Sequence, residues 1–195
     1  MLVAFDFDGT LSDSEMTVLL GEQAGVADEI ADITERAMND ELSYAESLRA
    51  RADLLGGLPE ADVVAALDRV ELRSGAADVV AALRAADHRV AVLTGGFERG
   101  VERALSAAGV SVDAVVANRL PSRDGALTGD VEGPLVEGTK DDALDPSERA
   151  SDDRNTIFSN TIIQSIFYSS PLRRSDLRLY SLADVVESLL DGRPC

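Results

Sequence analysis

The sequence predicts an α/β fold, a doubly wound parallel sheet carrying an α-helical insertion, and three observations predict it. Apolar, partly β-branched runs of strand length recur at residues 2–5, 89–93 and 112–117. Such near-continuous apolar runs belong to strands buried on both faces of a parallel sheet. Helical stretches rich in alanine and leucine alternate with these runs, the pattern of a sheet with helices packed on it. The first run ends in Asp6-Phe7-Asp8-Gly9-Thr10, and open α/β sheets bind their ligands outside such strand ends.

Taken in order, residues 13–72 read as helical, dominated by Ala, Leu, Glu and Arg and broken at Gly56-Gly57-Leu58-Pro59. Residues 76–86 form an amphipathic helix with Val79, Val80 and Leu83 on one side. The run 89–93 is the second strand, and Thr94-Gly95-Gly96 reads as the opening of a helix that spans 97–108 and closes at Gly109. A third strand is expected at 112–117. Beyond Asn118, Asp124-Gly125 between short runs signals a hairpin. Near Ala150 the composition changes abruptly. Residues 151–180 contain no Ala, Val, Gly or Glu, and hold four of the six isoleucines. The segment reads either as a divergent tail or as the product of a shifted reading frame or recombination. A last helix is expected at 183–190.

The 195 residues suffice for one ordinary domain with a small insertion. Asp and Glu number 36 against 18 Lys and Arg, a net charge of −18. That excess of negative charge argues against nucleic-acid or anionic-membrane partners. It resembles the surfaces of proteins from salt-loving organisms. Because added salt screens self-repulsion, stability is expected to rise with ionic strength. A melting temperature that is flat or falls between low and molar salt would contradict this. The one cysteine, Cys195, permits no intrachain disulfide. With no signal-peptide pattern and no run of membrane-span length, a cytoplasmic location is expected.

The chemistry starts with Asp6 and Asp8. Two carboxylates this close repel unless a cation lies between them, and hard oxygen ligands suit Mg²⁺. Their bland alternative is turn or helix capping, a common use of Asp. Thr94-Gly95-Gly96 would bring a hydroxyl and backbone N–H groups to the same crevice, a phosphate-binding arrangement. A plain turn is the competing explanation. Lys140 is the only lysine, so every other positive side chain is arginine. Lys is a compact point charge able to meet phosphate and carboxylate together. A stray surface lysine is the alternative. His88, the only histidine, reads as a surface turn residue.

In combination, Asp6 to Thr10, Thr94 to Phe97 and Lys140 resemble the first three motifs of haloacid dehalogenase-type phosphatases, in their phosphoserine phosphatase branch. Met38-Asn39, the stretch from Tyr44 to Arg51, Ala117-Asn118-Arg119-Leu120 and the stretch from Leu127 to Gly133 are also similar to that branch. The resemblance covers roughly residues 1–145. It implies a Rossmann-like core over 1–14 and 75–195, with 151–180 atypical, and a helical cap over 15–74. Asp6 would be the nucleophile, since a carboxylate can split one hard displacement into two easier ones. Asp8 would protonate the leaving oxygen and later activate water. Asp6 and the Asp8 carbonyl would hold Mg²⁺, and Thr94, Gly95 and Lys140 would bind the phosphoryl oxygens. Glu15 would recognise the amino group and Arg51 the carboxylate of a small phosphorylated amino acid, while Met38 and Tyr44 would close over it. The implied reaction is hydrolysis of O-phosphoserine in serine biosynthesis.

One departure stands out. The family's fourth motif supplies further metal-binding acids about two dozen residues beyond Lys140, where this chain reads Thr161-Ile162-Ile163-Gln164-Ser165-Ile166-Phe167, and no Asp or Glu lies between Asp153 and Asp176. The apolar run could still fill a fourth strand. Two alternatives stay open: action on another small phosphate ester, by hydrolysis or phosphotransfer, and a catalytically disabled copy. Oligomeric state is not legible.

Overall fold

The structure is a computed structural model that describes residues 2–137 and 177–179. In chain order it contains β1 (Leu2–Phe5), α1 (Met16–Ala24), α2 (Ala27–Met38), α3 (Tyr44–Leu54), α4 (Glu60–Leu67) and α5 (Ala76–Ala85). There follow β2 (Arg89–Phe97), α6 (Glu98–Ala107), β3 (Ala114–Asn118), β4 (Ser122–Arg123), β5 (Ala126–Leu127) and β6 (Leu177–Leu179). Four strands form one sheet in the order β3-β2-β1-β6, every neighbouring pair parallel. This is the expected α/β architecture. Val3, Ala4 and Phe5 are all buried, which accounts for a strand that is apolar at successive positions. Full burial of a side chain such as Phe5 stabilises the fold by about 2–3 kcal/mol.

Local chemistry sets the helix ends. Ser43 accepts from the Glu46 amide, and the Glu46 carboxylate accepts from the Ser43 amide in return, so a capping box starts α3. The Ser43 hydroxyl, and after it the Ser43 backbone N–H, donate to the Glu46 carboxylate and hold its carboxyl below the ordinary pKa. Gly25, in the left-handed region, ends α1 and directs its N–H back to Glu22 and Gly21. The Asp124-Gly125 turn has positive φ at both residues, the requirement of a tight hairpin turn. It joins β4 to β5 as expected. Leu127 donates its backbone N–H to the Leu58 carbonyl at 2.9 Å, and Arg99 of α6 makes a bidentate pair with Glu60 at the start of α4. The helical insertion is thereby tied to the sheet domain's own elements at several points.

Several expectations are corrected. The stretch 13–72 has not one break but several, because Gly25, the 39–43 turn and the 55–59 connector each end a helix. β3 begins two residues later than expected, at Ala114. β2 runs on through Phe97, so Thr94-Gly95-Gly96 does not open a helix. Leu93 pairs with Val116 and Phe97 with Asn118. The three residues Thr94, Gly95 and Gly96 therefore stand opposite the single residue Ala117, which makes them a bulge. The edge of β1 is paired with Leu177–Leu179. The Ile-rich run at 161–167, the composition shift at 151–176, the helix expected at 183–190, and Lys140 lie outside the described residues.

Candidate active site

The bulge and the end of β1 lie side by side. Phe7 donates its backbone N–H to Asp6 Oδ1 at 2.8 Å, which fixes the orientation of that carboxylate. Thr10 and Ser12 both donate backbone N–H groups to the Phe7 carbonyl at 3.0 Å, folding the chain back on itself beneath Asp8. Gly9 supplies the positive φ this reversal needs. Arg73 then clasps the same loop from the far end of the helical insertion, donating to the Gly9 carbonyl at 3.1 Å and pairing with Asp13 at 2.5 Å. Gly96 touches the other side of Asp8. A Cβ built there would lie 2.5 Å from Asp8 Oδ2, so the absence of a side chain is what lets the bulge seat against this carboxylate.

A single cleft of about 620 Å³ gathers most of the residues expected to act. Asp6, Asp8, Thr94, Gly95 and Gly96 form one side, and Glu15, Tyr44 and Arg51 come from the helices. Glu15 is the N-cap of α1, yet its side chain makes no capping bond and instead lines the cleft. Arg51, one turn from the end of α3, is held by bonds from Nε to the Ser47 carbonyl at 3.3 Å and from Nη1 to Thr17 Oγ1 at 3.4 Å. Burial pulls its guanidinium below the ordinary arginine value, and the nearby Tyr44, Glu15 and Asp8 oppose that pull. Burial pushes the Tyr44 phenol up. The Arg51 charge opposes this rise, and Asp6 and Asp8 add to it. The Tyr44 hydroxyl reaches the Gly95 carbonyl at 3.4 Å.

Met38 is not brought in. It sits at the end of α2 with 81% of its surface exposed and does not line the cleft. Other residues join the site that the sequence did not single out. Thr17 holds Arg51, Leu48 supplies an apolar wall, and Leu135, Val136 and Glu137 line the cleft as well. Glu137 pairs with Arg49 of α3 across the mouth. Ser43 lines the cleft too, and among these residues it alone carries a local signal, the Ser-x-x-Glu of a capping box. The rest come together through tertiary packing.

Asp6 and Asp8 offer hard carboxylate oxygens at one strand end, a donor chemistry suited to a hard divalent cation. Among the described residues no third acid, His or Cys joins them in a cluster. The pair fits such an ion as two ligands of a set completed by water or by oxygens from elsewhere. No helix among the described residues is long and apolar enough to cross a membrane.

Comparison with known proteins agrees with this geometry. A family model of haloacid dehalogenase-like hydrolases matches residues 3–162. A phosphoserine phosphatase of Halobacterium salinarum is 64% identical over 143 residues, which are 73% of this chain and 68% of the relative. One from Streptococcus thermophilus is 41% identical over 140 residues, covering 72% of this chain and 63% of the relative. A solved structure described as a phospho-aspartyl intermediate analogue of phosphoserine phosphatase superposes with TM-score 0.72 at 30% identity, covering 98% of this chain and 82% of the other. A substrate-bound phosphoserine phosphatase complex gives TM-score 0.73 at 29% identity with the same coverage. Acids on adjacent sides of one strand end, a glycine bulge packed on them, and relatives this similar leave one assignment: the chain belongs to the haloacid dehalogenase-like hydrolases, in their phosphoserine phosphatase branch.

Proposed function

We propose that this chain is a Mg²⁺-dependent phosphomonoesterase acting on O-phosphoserine, through a phosphorylated Asp6, in cytoplasmic serine biosynthesis. The observation that carries the reading is the shared cleft. One side offers the acids and the bulge that phosphoryl transfer needs, and the other offers an acid and an arginine, Glu15 and Arg51. An ester with both an ammonium and a carboxylate matches that second pair, since Arg binds carboxylates with a two-pronged geometry. Sugar phosphates lack both groups. The helical segment 15–74 acts as a cap over the core, with Tyr44 on its cleft side.

In the first step an Asp6 carboxylate oxygen attacks phosphorus, the bond from phosphorus to the serine oxygen breaks, and Asp8 delivers a proton to that oxygen as serine leaves. Asp8, now a carboxylate, takes a proton from water as the water oxygen attacks phosphorus and the bond from phosphorus to the Asp6 oxygen breaks. Inorganic phosphate leaves, and both acids return to their starting states. The Thr94 hydroxyl and the Gly95 backbone would meet the phosphoryl oxygens, whose charge spreads in a loose transition state. Lys140 would add a positive charge to the same group. The cation would be held by the Asp6 carboxylate and the Asp8 backbone carbonyl, and would offset negative charge on the transferring group.

The test is phosphate release from O-phosphoserine at high salt with and without Mg²⁺, beside sugar phosphates and a phosphate ester without a carboxylate. Phosphoserine is expected to be turned over best. Arg51→Ala should then lower kcat/KM for phosphoserine by on the order of 10- to 100-fold, the loss of one charge-assisted contact, and spare the ester without a carboxylate. Equal losses on both substrates would remove Arg51 from carboxylate recognition. Better turnover of a sugar phosphate would replace the amino-acid reading.

A further inference from the structure

We propose that Asn118 is a positioning residue for the phosphoryl site, a proposal that rests on the phosphomonoesterase reading above. It ends β3, a strand otherwise made of alanine and valine, and is completely buried. An amide placed there is costly unless its polar atoms find partners. Both ends do. Asn118 Nδ2 donates to the Gly95 carbonyl at 3.0 Å, and Asn118 Oδ1 accepts from the Leu135 backbone N–H at 3.0 Å.

The first bond acts on the bulge. The peptide joining Gly95 to Gly96 has its carbonyl held by Asn118 and its N–H donated to Thr94 Oγ1 at 3.0 Å. Turning that peptide over would abandon both hydrogen bonds at once, one buried and one half-buried, so its plane is fixed. Two flexible glycines in a row would otherwise leave this segment many orientations. The Thr94 hydroxyl, having accepted from Gly96, keeps its single proton for donation elsewhere, the polarity that a phosphoryl oxygen requires. Asn118 therefore sets the orientation of the bulge without touching the cleft itself.

The second bond acts on another part of the cleft lining. Leu135 begins the Leu135-Val136-Glu137 wall of the cleft. Gly133 brings this segment close to Asn118: a Cβ there would fall 2.5 Å from Asn118 Oδ1 and 2.7 Å from its Cα. One side chain thus ties the floor of the phosphoryl site to a wall of the same cleft. A leucine of similar volume would satisfy the packing but supply neither bond, so packing alone does not call for an amide here.

The experiment measures binding of inorganic phosphate by calorimetry, with Mg²⁺ at high salt, to the full chain and to Asn118→Leu and Asn118→Asp. Leucine removes both bonds. Aspartate keeps the acceptor for Leu135 and removes the donor to Gly95. Both variants, kept well below their melting temperatures, are expected to bind phosphate on the order of tenfold more weakly, the effect of losing a buried hydrogen bond at the site. A merely structural residue would lower the melting temperature and leave the affinity of the folded protein unchanged, and that result overturns the proposal. Should neither variant fold, the parent chain supplies the test by nuclear magnetic resonance. The Asn118 side-chain amide and the Leu135 N–H are then expected to shift along the same phosphate saturation curve as the Gly95 and Gly96 amides, and unmoved signals at saturation overturn it. Failure of the parent chain to bind phosphate at all is a different outcome, which removes the phosphomonoesterase reading itself.

Discussion

Asp6→Asn is expected to reduce phosphate release from O-phosphoserine by on the order of 10⁴-fold or more, the largest effect of any single change in the site. The amide keeps an oxygen able to accept the Phe7 N–H now bound at 2.8 Å, so the loop is expected to keep its shape. What disappears is the nucleophile, because an amide oxygen does not form the phosphorylated intermediate. Two measurements separate this from unfolding. The variant's melting temperature should stay near the parent's, and its single-turnover reaction should show no rapid release of serine. Turnover by Asp6→Asn at close to the parent rate would place the attack on another group.

Asp6, the proposed nucleophile, is also the residue that the sequence exposed most plainly, and the reason is physical. Asp6 and Asp8 sit at the end of a strand buried on both faces, so their meaning was set by two local patterns, an apolar run and the Gly9 break. Arg51 and Glu15 were legible only through family resemblance. In isolation each is one charge among many in a chain of net charge −18. Thr94 to Gly96 reads in the sequence as a helix start, and the structure makes it a bulge. A glycine pair after a strand suits a helix start as well as a bulge, and only the pairing of β2 with β3 decides between them. Asn118 carried no local signal of its role. Its two partners lie 23 residues before it and 17 residues after it in the chain, a relation that appears only once the sheet has formed.

Met38 shows the opposite limit. Resemblance places it over the substrate, yet it lies outside the cleft with most of its surface in solvent. The end of α2 is joined to α3 by a short turn whose backbone reverses at Asp40, a non-glycine residue with positive φ. The α3 side of that turn is anchored by the capping box and, farther along, by the Arg51 bonds to the Ser47 carbonyl and Thr17, whereas the ion pairs of Arg36 with Glu41 and of Arg49 with Glu137 are both exposed. Exposed pairs of this kind contribute little. The helical insertion therefore has one firmly held edge beside the cleft, at Tyr44 to Arg51, and one weakly held edge at Met38.

Replacing residues 151–180 by a segment that carries the family's fourth-motif strand and acids is expected to lower the Mg²⁺ concentration for half-maximal phosphate release by about 10- to 100-fold, the scale on which supporting groups tune metal sites. The reason lies in the count of oxygen ligands. Mg²⁺ requires near-octahedral oxygen coordination, and the described residues gather no cluster of three ligating groups around Asp6 and Asp8. The sequence offers no acid between Asp153 and Asp176 to complete one. A sheet edge is available to carry such an acid, because the strand paired with β1 runs parallel to it and so ends on the same side of the sheet as Asp6. If the parent chain already responds to Mg²⁺ as the replaced chain does, water or another oxygen completes the shell and the missing acids are dispensable. If only the replaced chain turns over phosphoserine, the parent retains the cleft, the nucleophile and the substrate-facing pair, and is a catalytically disabled copy that lacks only the means to hold its metal.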